Sequence, residues 1–178
     1  MGGDLVTKSA AMLRAVNVGG RKLAMADLRR MVEDLGGQEV ATYLQSGNVV
    51  FSGPKRLGVE LEAALRKDLG FDVPVLVRSG PQLAAIVAAN PFAAAGAMLS
   101  VTLLAATPPK SAVTAIDPDG FGDDRFVVSG TEIYLHTPGG YGRSKLNNTF
   151  WERKLGVQAT TRNWNTMLAL AEMTSQRK

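Results

Sequence analysis

Residues 40–52, VATYLQSGNVVFS, decide the fold. Residues 40–44 and 49–52 are runs of strand length, rich in apolar, β-branched and aromatic side chains. Ser46-Gly47-Asn48 between them supplies the residue types that a tight reversal needs. The stretch reads as a β-hairpin. On either side the spacing turns helical: Met25, Leu28, Met31, Val32 and Leu35 before it, and Leu57, Leu61, Leu65 and Leu69 after it. Gly36-Gly37 and Gly70 close these helices. A strand at residues 10–16 precedes the first helix, and another at 73–78 follows the second. The order is βαββαβ.

The same order then returns. A strand at 101–106 leads to a short helix at 108–116 and a loop at 117–124. Strands at 125–129 and 132–137 form a hairpin around Ser129-Gly130-Thr131. A Gly-rich loop at 137–143, a helix at 146–155 stopped by Gly156, and a strand at 159–162 complete the second set. Between the sets, Ser79-Gly80-Pro81 opens a helix that Asn90-Pro91 ends, and an Ala-rich stretch at 92–98 follows. A closing helix at 165–173 takes Asn165 as its N-cap. The repeat lies in the order of elements and not in the letters. The expected fold is α+β: two tandem ferredoxin-like (βαββαβ) units with antiparallel sheets, a linker helix and a C-terminal helix. The expected segments are a flexible leader at 1–9, a first unit at 10–79, a linker with its helix at 80–98, a second unit at 99–163, and a C-terminal helix and tail at 164–178.

Composition narrows the function classes. The 178 residues include no cysteine and one histidine, His136. Disulfides, thiol nucleophiles, thiolate metal sites and multi-histidine metal sites are thereby excluded. No apolar run has membrane-spanning length, and the first residues lack the apolar stretch of a secretory signal. A cytoplasmic protein without membrane, metal or cofactor is expected. The net charge of +4 is spread over pairs such as Arg29-Arg30 and Arg66-Lys67, the usual pattern of solvated helix faces. A nucleic-acid partner is not expected from charge alone.

Four motifs remain as candidate sites. Asn17-Val18-Gly19-Gly20-Arg21-Lys22 joins a strand to a helix. Successive N–H groups there suit an anion-binding nest with two cations behind it; the competing reading is a tight turn that needs glycine. Thr137–Lys145 (TPGGYGRSK) is the second Gly-rich loop. Tyr141, Arg143, Ser144 and Lys145 suit a phosphate or carboxylate, or they dress an ordinary surface loop. Gln45-Ser46-Gly47-Asn48 joins two strands; Ser46, Gly47 and Asn48 are candidate contacts, but the motif reads first as a hairpin turn. Arg162, Asn163 and Trp164 bind, or they satisfy buried groups and anchor the packing. Taking the first and third strands of each unit as parallel puts both Gly-rich loops at matching sheet ends. On that basis they are expected to face one another and share one anion site. Asp117-Pro118-Asp119-Gly120 falls short of a calcium loop.

These residues resemble a bacterial family known as domain of unknown function 1697. The resemblance rests on LRAVNVGG (13–20) with Met25 and Leu28, and on TYLQSGNVVF (42–51). It continues in Asn90-Pro91-Phe92, in Tyr141-Gly142-Arg143-Ser144 with Lys145, and in ATTRNWNT (159–166), so that it spans residues 11–171. Ala15 departs from it, since the family commonly has glycine there; the expected effect is a slight tightening of the strand end. The acidic loop at 117–124 is not part of the pattern. The resemblance implies two ferredoxin-like units and brings no activity with it.

The functional expectation is a binding module for a small phosphate- or carboxylate-bearing ligand. Its candidate contacts are Arg14, Asn17, Gly19, Gly20, Arg21, Tyr141, Arg143, Ser144 and Lys145. The alternative is an enzyme acting on such a metabolite through Tyr141, Ser144, Lys145 or His136. A protein–protein module and an RNA-binding module are the further readings. The RNA reading is weakened by a shortage of stacking rings, since only Phe51 and Tyr134 lie on the central strands.

Overall fold

The structure, a computed structural model, describes residues 7–175. The chain divides into two compact units, Met1–Ala85 with Ala169–Lys178, and Ile86–Leu168. Most of the expected leader lies outside the described residues. Its last two residues, Lys8 and Ser9, already belong to the first strand.

The first unit holds β1 (Lys8–Leu13), α1 (Met25–Asp34), β2 (Gln38–Thr42), β3 (Asn48–Ser52), α2 (Leu57–Leu69) and β4 (Val75–Ser79). Its sheet has the order β2-β3-β1-β4, and every neighbouring pair is antiparallel. One face of the sheet carries both helices. Ala11 and Leu13 of β1 and Val49 and Phe51 of β3 pack there against Leu28 and Val32 of α1 and Leu57, Leu61 and Leu65 of α2. These side chains alternate along the strands and recur at helical spacing, so burying them joins the two layers. Gly70 ends α2 in the left-handed conformation at φ +77.

The first strand is shorter than its apolar letters imply. It stops at Leu13, because Ala15 and Asn17 have φ of +60 and +56, which extended backbone does not tolerate. Ala15 is therefore strained, in a conformation that favours glycine, and this replaces the expected slight tightening of the strand end. A non-glycine residue in this conformation costs about 1–2 kcal/mol, against which glycine loses some entropy. Ala15→Gly is expected to raise stability by about 0.5–1 kcal/mol. An unchanged or lowered midpoint in urea would contradict this.

The second unit holds β5 (Leu99–Leu104), α4 (Lys110–Thr114), β6 (Arg125–Ser129), β7 (Glu132–His136), α5 (Asn148–Leu155) and β8 (Ala159–Asn163). Its antiparallel sheet has the order β6-β7-β5-β8. Trp151 of α5 is fully buried among Leu104, Ile133, Leu135, Leu146 and Leu155. Phe126 and Phe150 meet its ring edge-on, with centroids 5.1 and 5.0 Å away. One polar chain crosses between strands and helix. Thr161 Oγ1 donates to Asn148 Oδ1 at 2.7 Å, so Thr102 Oγ1, also at 2.7 Å, donates to Thr161.

The helices α3 (Gly80–Ala88) and α6 (Trp164–Ser175) are each divided between the units. The start of α3 lies against the end of α6: a Cβ on Gly80 would come within 2.7 Å of the Thr174 carbonyl oxygen. The cap of α6 differs from expectation. Asn163 Oδ1 accepts the Thr166 N–H at 2.8 Å, two residues before the place assigned to Asn165, because β8 runs directly into the helix.

Candidate functional site

Strand direction decides which loops meet. Met12 pairs with Asn48 and Lys8 with Ser52, so β1 and β3 are antiparallel, not parallel as expected. A helix between β1 and β2 returns the chain to the same direction, and the hairpin then reverses it. The β1–α1 loop and the Ser46-Gly47-Asn48 turn therefore share one end of the first sheet. In the second unit β5 and β7 are antiparallel as well, so the two Gly-rich loops, one after β1 and one after β7, do not lie at the matching sheet ends expected of a single shared site.

In the first unit that sheet end is tightly tied. Leu13 N–H donates to Gly47 O at 2.9 Å, and Arg14 N–H to Pro74 O at 3.0 Å. Gly19 and Gly20 have φ of +56 and +83, and Val18 and Arg21 form an isolated antiparallel bridge. Two consecutive left-handed residues make a primed hairpin turn, not the alternating backbone of an anion nest. Asn17 closes the loop from within. Its Nδ2 donates to Leu23 O at 2.9 Å and Gln45 O at 2.6 Å, while its Oδ1 accepts the Leu23 N–H at 2.8 Å. The side chain expected to bind ligand is taken up in joining the loop to the hairpin. Asn48, fully buried, likewise donates to Tyr43 O and Ser46 Oγ, as a turn residue does.

These ties leave a cavity of about 550 Å³ lined by Asn17, Gly20, Arg21, Lys22, Leu23, Ala24, Met25 and Gln45. Two of these residues are cations and none is acidic. Arg21 is set in place by Phe71, whose ring centroid lies 4.8 Å from its Cζ. The first turn of α1 opens on the same space, with Ala24 at its N-cap and no side chain capping it. The Met25 and Ala26 N–H groups have no hydrogen-bond partner among the described residues, so the positive end of the helix stays open. The nearest carboxylate on that turn, Asp27, pairs with Arg30 at 3.2 Å. Gln45 and Met25 also line this space; the sequence places Gln45 in the hairpin motif and Met25 on the apolar stripe of α1, and neither position by itself signals a shared cavity.

The second Gly-rich loop forms a 3₁₀ turn at Tyr141–Arg143 and stops short of α5, which Asn147 caps by accepting the Phe150 N–H at 2.9 Å. Ser144 Oγ donates to Asp124 Oδ2 at 2.7 Å and accepts the Leu146 N–H at 3.1 Å. This draws the acidic loop onto the Gly-rich one. A cavity of about 280 Å³ between them is lined by Gly120, Phe121, Gly122, Asp124, Arg143 and Lys145. Tyr141 packs against the core of this unit and does not line it. Arg162 is nearly buried, its Nη1 donating to Thr160 Oγ1 and Thr161 O. Burial pushes its pKa down to about 10, against a smaller upward pull from Tyr141, so it stays charged at neutral pH. Trp164 is half-buried at the start of α6. His136 lies by Phe92, ring centroids 6.0 Å apart, and lines neither cavity.

Two four-stranded antiparallel sheets, each with helices on one face and a loop cavity in its unit, define a mixed α and β protein. The family described as "Protein of unknown function (DUF1697)" matches residues 6–134, and the chain belongs to it. The match ends within β7, so the resemblance read in residues 141–145 and 159–166 lies beyond it. A solved structure described as the conserved bacterial protein SP0830 from Streptococcus pneumoniae is similar in fold. Its TM-score is 0.75 at 21% identity, with 96% of this chain and 99% of that chain covered. No curated protein matches the chain. No helix among the described residues is long and apolar enough to cross a membrane.

Proposed function

We propose that the protein is a binding module for a small phosphate- or carboxylate-bearing ligand, held at the end of the first sheet. The observation that carries this reading is the charge of the 550 Å³ cavity: Arg21 and Lys22 with no acidic residue in its lining. The unpaired N–H groups of α1 supply directional donors beside the two cations. Asn17 is a positioning residue in this reading, and Gly20 lets the backbone approach. Each unit is read as ferredoxin-like, supported by its βαββαβ order and by its edge strands, β2 with β4 and β6 with β8.

Two other classes gain less support. General acid–base chemistry needs a group that titrates near neutrality, and the first cavity offers only Arg21, Lys22 and amides. RNA readout needs exposed rings on the central strands, whereas Phe51 and Tyr134 are 2% and 3% exposed.

The test is thermal unfolding with inorganic phosphate, AMP and citrate as probes. A ligand at one hundred times its dissociation constant stabilises by about 2.7 kcal/mol, or roughly 5–10 °C for a chain of this size. The Arg21→Ala/Lys22→Ala double variant is expected to lose that shift while keeping its own unliganded midpoint. A shift that survives in the double variant would place the anion elsewhere. No shift with any probe would sink the reading.

A further inference from the structure

We propose that the second unit carries a separate site for a small zwitterion, a molecule with one ammonium group and one carboxylate or phosphate group. The cavity lined by Asp124, Arg143 and Lys145 holds charges of both signs. Among the described residues, no ion pair joins Asp124 to either cation, and neither cationic side chain has a hydrogen-bond partner. Opposite charges facing one small space normally collapse onto one another unless the backbone holds them apart.

Here the backbone is held from both sides. Ser144 occupies one oxygen of Asp124 and, through the Leu146 N–H, ties that carboxylate to the turn before α5. Phe121 fixes the acidic loop to the core, edge-on to Phe126 and Phe150 at 6.0 and 5.4 Å. Arg125 Nη1 donates to the carbonyls of Gly122 and Asp124 at 2.6 and 2.9 Å and stiffens the loop further. The second oxygen of Asp124 is left as an acceptor for an ammonium group. Arg143 and Lys145 are donors for an anion. At about 280 Å³ the space falls just under the about 300–1,000 Å³ of drug-sized pockets, which suits a molecule of amino-acid size. A simple anion would leave Asp124 repelling it, and a simple amine would meet two cations. A ligand bearing both charges satisfies the whole lining.

The experiment is calorimetric titration of the full chain in the Arg21→Ala/Lys22→Ala background, which removes the first cavity's cations and separates this proposal from the preceding one. The probes are O-phosphoethanolamine, inorganic phosphate and ethanolamine. O-phosphoethanolamine is expected to bind at least about tenfold more tightly than either half-molecule, the worth of one added charge-assisted bond. Asp124→Asn keeps an acceptor for Ser144 and removes the charge; it should abolish the preference over phosphate. Arg143→Ala should abolish the preference over ethanolamine. Equal affinity for phosphate and O-phosphoethanolamine, no binding of any probe, or a preference that survives Asp124→Asn would each overturn the proposal.

Discussion

Trp151→Ala is expected to cost about 3–5 kcal/mol, the range for deleting a large buried ring. That is a large share of the about 5–15 kcal/mol that holds a typical domain together. The ring is fully buried, and it links α5 to Leu104, Ile133 and Leu135 on three strand positions. Two phenylalanines pack against it in T-shaped contacts, so a void there cannot close without moving both. The indole Nε1 has no hydrogen-bond partner among the described residues, and a buried unpaired donor costs about 1–3 kcal/mol. Trp151→Phe removes that donor along with part of the ring. Its losses and gains offset, and it should fall within about 1 kcal/mol of the parent. Urea unfolding monitored by circular dichroism reads both variants, with Trp164 remaining as a fluorescence probe. Equal costs for the two substitutions would mean that the indole's volume is not what organises this core.

Much of this architecture is legible in the letters, and the exceptions have physical causes. The leucine stripe of α2 and the hairpin around Ser46-Gly47-Asn48 are readable because burial imposes a period on each. The end of β1 was not readable, since Ala15 and Val16 are apolar and only the backbone angle at Ala15 separates loop from strand. The direction of β3 was within reach of the sequence. A helical crossover keeps β2 along β1 and a hairpin reverses β3, which makes β1 and β3 antiparallel. Asn17 illustrates a different limit. An asparagine beside two glycines looks like a ligand contact, but its partners Leu23 and Gln45 become visible only once the loop and hairpin are side by side. Asp124 lies at the end of an acidic loop whose letters resemble only a deficient calcium site. Its meeting with Ser144, twenty residues on, depends on tertiary packing.

Gly47→Ala is expected to damage both the fold of the first unit and its cavity. Gly47 has φ +89, and a Cβ there would sit 2.6 Å from Val16 Cγ2 and 3.0 Å from Leu13 Cβ. Leu13 and Val16 are buried, at 0% and 3% exposure, and neither contact is with the far end of a flexible chain. A left-handed alanine costs about 1–2 kcal/mol, and overpacking adds about 1–3 kcal/mol, for a total of about 2–5 kcal/mol. Gly19→Ala is the matched control. Its φ of +56 imposes a similar backbone penalty, but nothing lies within 4 Å of the added carbon. It should cost only about 1–2 kcal/mol. The difference between the two isolates packing from backbone strain. The functional consequence follows from Gln45, two residues before Gly47, whose carbonyl holds the Asn17 side chain at 2.6 Å. Pushing the turn away from Leu13 and Val16 pulls Gln45 from Asn17 and loosens the loop that carries Arg21 and Lys22. Phosphate affinity measured on folded protein should therefore weaken in Gly47→Ala more than in Gly19→Ala. Equal stability losses would remove the packing argument. Unequal losses with equal phosphate affinity would instead detach the hairpin from the site.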